Sequence, residues 1–142
     1  MTAEDRPELQ YLELEDVLAL YAEVFGLSDQ EARDRLRNGD GLRGALSRPA
    51  NYAHYQNADI AMQAAVLAHG IAEGQHFLEG NKRTALVALR TFLAVNGYGV
   101  DARQEERANW ILSLSERASI EQLAARIRAA IVVLPPASGE GV

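Results

Sequence analysis

The chain has no cysteine, which excludes a disulfide framework, a thiolate nucleophile and cysteine-bound zinc. Histidine is scarce as well: His54, His69 and His76 are the only three, too few and too scattered for an obvious metal cage. Basic charge is in deficit, with 14 Lys and Arg against 20 Asp and Glu and a net charge of −6. That balance works against overall attraction to nucleic acid or an anionic membrane and leaves only a local basic patch to bind anions. Long apolar runs are missing too. No stretch approaches the roughly 18 apolar residues of a membrane span, and Met1–Gln10 is acidic, without the apolar core of a secretory leader. The expected location is therefore the cytoplasm.

What the chain does have is the composition of an ordinary globular domain: 142 residues, 48% apolar and 24% charged, enough for one core. Residues 1–10 and 135–142 hold little to bury and read as flexible ends around a domain of residues 11–134. Within it the periodicity is helical almost throughout, with no convincing strand pair. Leu14, Val17, Leu18, Tyr21, Val24 and Phe25 recur at three- and four-residue steps until Gly26, which predicts a first helix over 14–25. Ser28 and Glu31 have capping-box spacing for a short polar helix ending near a Gly39-Asp40-Gly41 break, and residues 42–48 suit another short helix before Pro49. Ala58–Ala72 is apolar on nearly every side, as expected of a helix covered all round, and a second buried helix follows over Thr84–Val95. Tyr98–Val100 reads as a brief extended piece. Asp101 is expected to cap a helix to about Arg117, with Trp110, Leu112 and Leu114 in the core, and Ser119 with Gln122 to open a last helix to about Val133.

The polar stretch Glu73–Arg83 is thus held between two buried helices, and it carries the chemistry. Asn81 stands where the second helix begins and is expected to cap it, with backbone N–H groups behind it that lack intrahelical partners. Lys82 and Arg83 add two cations in the first turn, where the helix dipole favours negative charge and each misplaced cation costs about 0.3–1 kcal/mol. A bound phosphate would offset that cost, since helix N-termini accept phosphates and Lys and Arg supply charged donors. Glu79 would repel a bare phosphate, yet a carboxylate beside phosphates is how Mg²⁺ is held between protein and nucleotide. The combination favours a metal-nucleotide. Taken alone, Gly-Asn-Lys-Arg is short and the dipole penalty small beside total stability, so on periodicity the simpler reading, two solvated surface charges behind a turn, comes first.

The same residues resemble the signature of the death-on-curing (Doc) branch of the Fic/Doc family, His-Pro-Phe-x-(Asp or Glu)-Gly-Asn followed by Lys and Arg, with Gly in place of Lys in nucleotidylating members. Phe77, Glu79, Gly80, Asn81, Lys82, Arg83, Thr84 and Ala85 match it, and Asp40-Gly41-Leu42, Ala45-Leu46-Ser47-Arg48-Pro49 and Asn96-Gly97-Tyr98 fit the same branch. The similarity spans about Leu12 to Ile131. It implies an all-α fold, a compact helical bundle with the motif loop between two buried central helices. It also implies transfer of a phosphoryl or nucleotidyl group from ATP or another nucleoside triphosphate, with Mg²⁺, to a hydroxyl on a protein. In the Doc type, Lys at the second Gly position implies phosphorylation of a translation elongation factor and growth arrest. On that resemblance Gly80, Asn81, Lys82 and Arg83 hold phosphates and Glu79 serves Mg²⁺, while Leu42–Asn57, with Tyr52, His54 and Tyr55, resembles the flap that positions the target. Leu86 stands where nucleotidylating relatives carry a second Arg, which counts against AMP transfer. The sequence lacks the Ser/Thr-x-x-x-Glu-Gly/Asn string of self-inhibiting relatives, so restraint is expected from an antitoxin protein in trans that lays a helix into a groove.

The sequence departs from the pattern at the general base. Counting back from Asn81, the family His falls on Gln75, and His76 occupies the Pro position. A neutral amide has no pKa suited to removing a proton, and loss of a positioned base removes about 10²–10⁴ in rate. Three readings follow. His76 replaces the base through a one-residue slip, a swing of roughly 100° on a helix. Alternatively, Gln75 orients the hydroxyl while positioning of the metal-nucleotide supplies most of the catalysis. In the third, the chain binds a nucleotide or a partner without transfer. His69, inside an apolar helix, reads as a core residue, and His54 as a target contact flanked by aromatics.

Overall fold

A computed structural model describes residues 8–115 and 119–135; most of the two ends expected to be flexible lies outside them. Helix α1, Leu14–Phe25, keeps the predicted bounds. Glu13 and Asp16 form a capping box at its start, Gly26 closes it in the left-handed conformation, and the stripe Leu14, Val17, Leu18 and Tyr21 is buried. Helix α2, Asp29–Asp34, opens on the expected box of Ser28 and Glu31. Helix α3, Gly39–Gln56, corrects two expectations. Gly39-Asp40-Gly41 is its first turn rather than a break, because the Asn38 side chain accepts from the Gly41 N–H, and the helix runs straight through Pro49. A proline inside a helix costs about 3 kcal/mol, but here Leu42, Ala45, Leu46 and Pro49 form one buried stripe at helical spacing, so tertiary burial outweighs it.

That stripe packs on α4, Ile60–Glu73, which Asp59 caps through a 2.9 Å bond from the Met62 N–H. Helix α4 is buried on nearly every side, between α3, α5 and α7. Its small residues allow close approach: a Cβ on Gly70 would lie 2.9 Å from that of Ala45. Helix α5, Asn81–Val95, starts three residues earlier than the sequence suggested and buries Ala85, Ala88, Leu89, Phe92 and Leu93 against the same centre. The architecture is all-α, as expected.

The C-terminal third holds the remaining corrections. Strand β1, Tyr98–Val100, pairs antiparallel with β2, Ile131–Val133, in register Tyr98↔Val133 to Val100↔Ile131. No strand pair was expected, since the two short runs lie far apart in sequence with no hairpin turn between them. Their meeting ends helix α7, Ser119–Ala130, before Val133. Helix α6, Gln104–Leu112, starts behind Arg103 rather than Asp101 and passes into a short 3₁₀ turn, Ser113–Ser115. The end of that predicted helix falls on residues 116–117, outside those described. Trp110 and Leu114 are buried, whereas Leu112 is 62% exposed, contrary to expectation. Gln10, read as part of a loose end, is held at both backbone groups by the Asn96 side chain, at 2.7 and 2.9 Å.

Candidate active site

The motif loop leaves α4 through a set of constraints that turn one residue out and the next one in. Gly74 ends the helix, Gln75 adopts a left-handed backbone with φ 51, and its side chain is exposed. His76 points inward, 4% exposed, with Nε2 2.9 Å from the Gly70 carbonyl. A carbonyl only accepts, so Nε2 carries the proton in this contact and Nδ1 is left buried without a partner. Gly74 is required here, because a Cβ would stand 1.9 Å from Nε2. Phe77 follows into the core, stacked on Tyr21 with ring centroids 4.0 Å apart.

Asn81 does not cap α5. It is the first helical residue, and Gly80, with φ 80, is the cap. The Asn81 amide instead reaches back to Phe77, accepting from its N–H and donating to its carbonyl, each at 3.1 Å. An amide carries both a donor and an acceptor, so one side chain satisfies both backbone groups of a buried residue.

A second segment lies along the outer edge of this loop. Leu78 donates to the Arg35 carbonyl at 3.1 Å, and Arg37 and Asn38 both donate to the His76 carbonyl, at 2.7 and 3.2 Å. Leu36 and Phe77 form an isolated antiparallel bridge. The Arg35 guanidinium meets Glu79 at 3.3 Å, and the Tyr21 hydroxyl donates to the Glu79 carbonyl at 2.9 Å. Sequence reasoning missed these supports. A tyrosine in a buried stripe must place its hydroxyl somewhere, which was the available signal for Tyr21; nothing local marks Arg35.

The start of α5 is open to anions. The first N–H groups of a helix have no intrahelical partner, and here no side chain caps them. Lys82 and Arg83 are exposed beside them, and Arg83 rests 5.2 Å above the Phe25 ring. Phe25 in turn packs so closely on Gly80 that a Cβ there would lie 2.3 Å from the ring. The sequence model of the Fic/DOC family matches residues 11–93, from the approach to α1 through nearly all of α5. The chain belongs to the Fic/DOC family. It is also 33% identical over 90 residues to Toxin Doc of Mycolicibacterium smegmatis (strain ATCC 700084 / mc(2)155), across 62% of this chain and 65% of that protein, which bears out the Doc-branch resemblance. The matched region thus spans just under two thirds of that relative's length.

In this Fic/DOC domain Gly80, Asn81, Lys82, Arg83 and Glu79 are brought together at one helix start, with Gln75 on the same loop. No group of three His, Asp or Glu side chains that could hold a metal occurs among the described residues. Glu79 alone fits a Mg²⁺ that takes its other ligands from phosphates and water, the usual arrangement for that ion, and does not fit a protein cage. The segment Leu42–Asn57, likened to a flap, lies in helix α3 up to its C-cap and is not a loop; the start of that helix meets the motif loop where Asn38 donates to the His76 carbonyl. Tyr52, His54 and Tyr55 sit in the last turns of α3, whose other end touches the motif loop, so they lie roughly 20 Å away at 1.5 Å per residue. His69 lies half-buried in α4; burial pushes its pKa below the ordinary value, Glu73 opposes that, and Arg48 adds to it. A cavity of about 510 Å³ between the later part of α5 and the strand pair, lined by Arg90, Tyr98 and Leu134 among others, is remote from the loop and takes no part in it. No helix among the described residues is long and apolar enough to cross a membrane.

Proposed function

We propose that this protein is a Doc-type toxin that transfers a phosphoryl group, in preference to a nucleotidyl group, from ATP or another nucleoside triphosphate to a protein hydroxyl. The acceptor class is a translation protein such as an elongation factor, in the cytoplasm, and an antitoxin protein in trans restrains the reaction. The observation that carries this is the start of α5, which no side chain caps and where Lys82 and Arg83 stand beside the Glu79 carboxylate. The family resemblance and the similarity to Toxin Doc support it. The N–H groups after Gly80, with Lys82 and Arg83, bind phosphate oxygens. Asn81 fixes the loop through Phe77. Mg²⁺ on Glu79 would neutralise phosphate charge. Gln75 faces outward where a hydroxyl approaches; its amide oxygen accepts the O–H and orients it, and the proton passes to phosphate oxygen or solvent. Phosphoryl transfer with a loose transition state draws most of its acceleration from positioning and charge stabilisation, so slow transfer survives without a general base. Tyr52, His54 and Tyr55 serve as a distal contact for the target.

A second reading, nucleotide or partner binding without transfer, is favoured by one observation: the only histidine on the loop is turned into the protein and held on Gly70. The slipped-base role would require His76 to leave that pocket. Incubation with γ-labelled and α-labelled ATP beside a bacterial translation extract separates the readings. Weak label from the γ-phosphate is expected on one protein, rising about 10²–10⁴-fold in Gln75→His, as recovery of a positioned base predicts. The left-handed backbone at position 75 suits histidine, which is enriched there. Absence of label from either nucleotide with both proteins would overturn the enzyme reading and leave the binding one.

A further inference from the structure

We infer that Arg35 is a placeholder cation for the divalent metal: it neutralises Glu79 while the metal is absent, gives it up when the metal arrives, and so sets how tightly metal and nucleotide binding are coupled. The inference rests on the reading of α5 as a triphosphate site. Its observations are separate from that reading and come from the segment between α2 and α3. Arg35 caps the end of α2, with its N–H directed at the carbonyls of the last turn. Its own carbonyl accepts from Leu78 at 3.1 Å, and its guanidinium reaches Glu79, the next residue along the loop, at 3.3 Å. Among the described residues this is the only ion pair that Glu79 makes. Arg83, four positions on, is turned instead over Phe25.

The backbone and the side chain of Arg35 therefore do different things. The backbone is anchored at both ends, and Arg37 and Asn38 beside it are anchored on His76, so the residue stays at the loop whatever its guanidinium does. The ion pair is weak by contrast: the side chains of Arg35 and Glu79 are 36% and 74% exposed, and pairs of that kind exchange readily. A carboxylate left bare at this point would repel a triphosphate. Paired with Arg35 it does not, and a doubly charged ion attached to phosphates outcompetes a single guanidinium for it. Arg35 is thus a positioning residue, and its signature is a change in linkage, since any effect of metal on nucleotide affinity is returned as an equal effect of nucleotide on metal affinity.

The test is calorimetric titration of the full chain with each of ATP, GTP, CTP and UTP, in Mg²⁺ and in EDTA, comparing wild type with Arg35→Ala, Arg35→Lys, Glu79→Gln and the Arg35→Ala/Glu79→Gln pair. The tightest-binding nucleotide carries the comparison, and thermal midpoints confirm folding. In EDTA, Arg35→Ala is expected to weaken binding about fivefold, the effect of one unscreened charge a few ångströms from an anion in a solvent-exposed site. The ratio of affinities with and without Mg²⁺ then rises by at least that factor. Arg35→Lys restores the wild-type ratio, and Arg35→Ala has no effect in EDTA once Glu79 is Gln. Equal weakening with and without Mg²⁺, or no change in either, would overturn the inference and leave the triphosphate site standing. A wild-type chain that binds none of the four nucleotides in Mg²⁺ would overturn the site itself, and the inference with it.

Discussion

Gly80→Ala probes the joint on which the site turns, and its cost can be built from two independent contributions. Gly80 has φ 80, and a Cβ there would lie 2.3, 2.8 and 3.2 Å from three atoms of the Phe25 ring. Left-handed backbone costs a non-glycine residue about 1–2 kcal/mol, and forcing an atom into an occupied space about 1–3 kcal/mol more. The sum, about 2–5 kcal/mol, is a large part of the stability of a domain this size. Gly97 supplies the control, because its φ is 89 but a Cβ there meets nothing within 4 Å. Gly97→Ala should therefore carry only the backbone cost. Urea denaturation of both variants isolates the collision as the difference between them, and Phe25→Leu should remove most of that difference from Gly80→Ala while leaving Gly97→Ala untouched. Displacing Phe25 also unseats Arg83, so nucleotide affinity should fall in Gly80→Ala and hold in Gly97→Ala. Equal denaturation midpoints for the two alanine variants would refute the packing argument.

Asn81→Ala strands both backbone groups of Phe77, and denaturation should register a loss of about 1–3 kcal/mol, with amide exchange at Phe77 accelerated before the rest of the loop. Asp59→Asn tests an ion pair remote from the site. The Arg128 guanidinium, bonded to both carboxylate oxygens at 2.6 and 3.0 Å, holds the Asp59 pKa below its ordinary value of 3.8. A lowered folded-state pKa stabilises the fold fully above the unfolded value and is lost as pH falls through the folded one. Stability of the wild type should therefore fall more steeply than that of Asp59→Asn below about pH 4, the ordinary carboxylate range; parallel acid limbs in denaturation would contradict this. Tyr21→Phe removes the hydroxyl bonded to the Glu79 carbonyl but keeps the stack on Phe77. It should cost about 0.5–1.5 kcal/mol, against about 3–5 kcal/mol for Phe77→Ala, which empties a buried ring site. Similar losses in the two variants would show that the stack contributes little.

Much of this protein was settled by sequence. The helical periods placed α1 to the residue and identified α4 as the covered centre, because a 3.6-residue repeat of apolar side chains has few other ways to be buried. The motif Phe77 to Ala85 located the loop between two buried helices, since dense short-range patterning survives whatever the rest of the fold does. What the sequence could not decide depended on partners distant along the chain. Pro49 stays helical because its stripe is buried on α4, and Ile131–Val133 leaves helix for strand because Tyr98–Val100 lies beside it. His76 and Gln75 are adjacent in sequence, and only the Gly70 carbonyl and the left-handed turn determine which is buried and which faces solvent. Arg35 reaches Glu79 only because the segment after α2 folds along the loop. Local periodicity records where a side chain points relative to its own helix; which atom waits for it there is fixed by packing between segments.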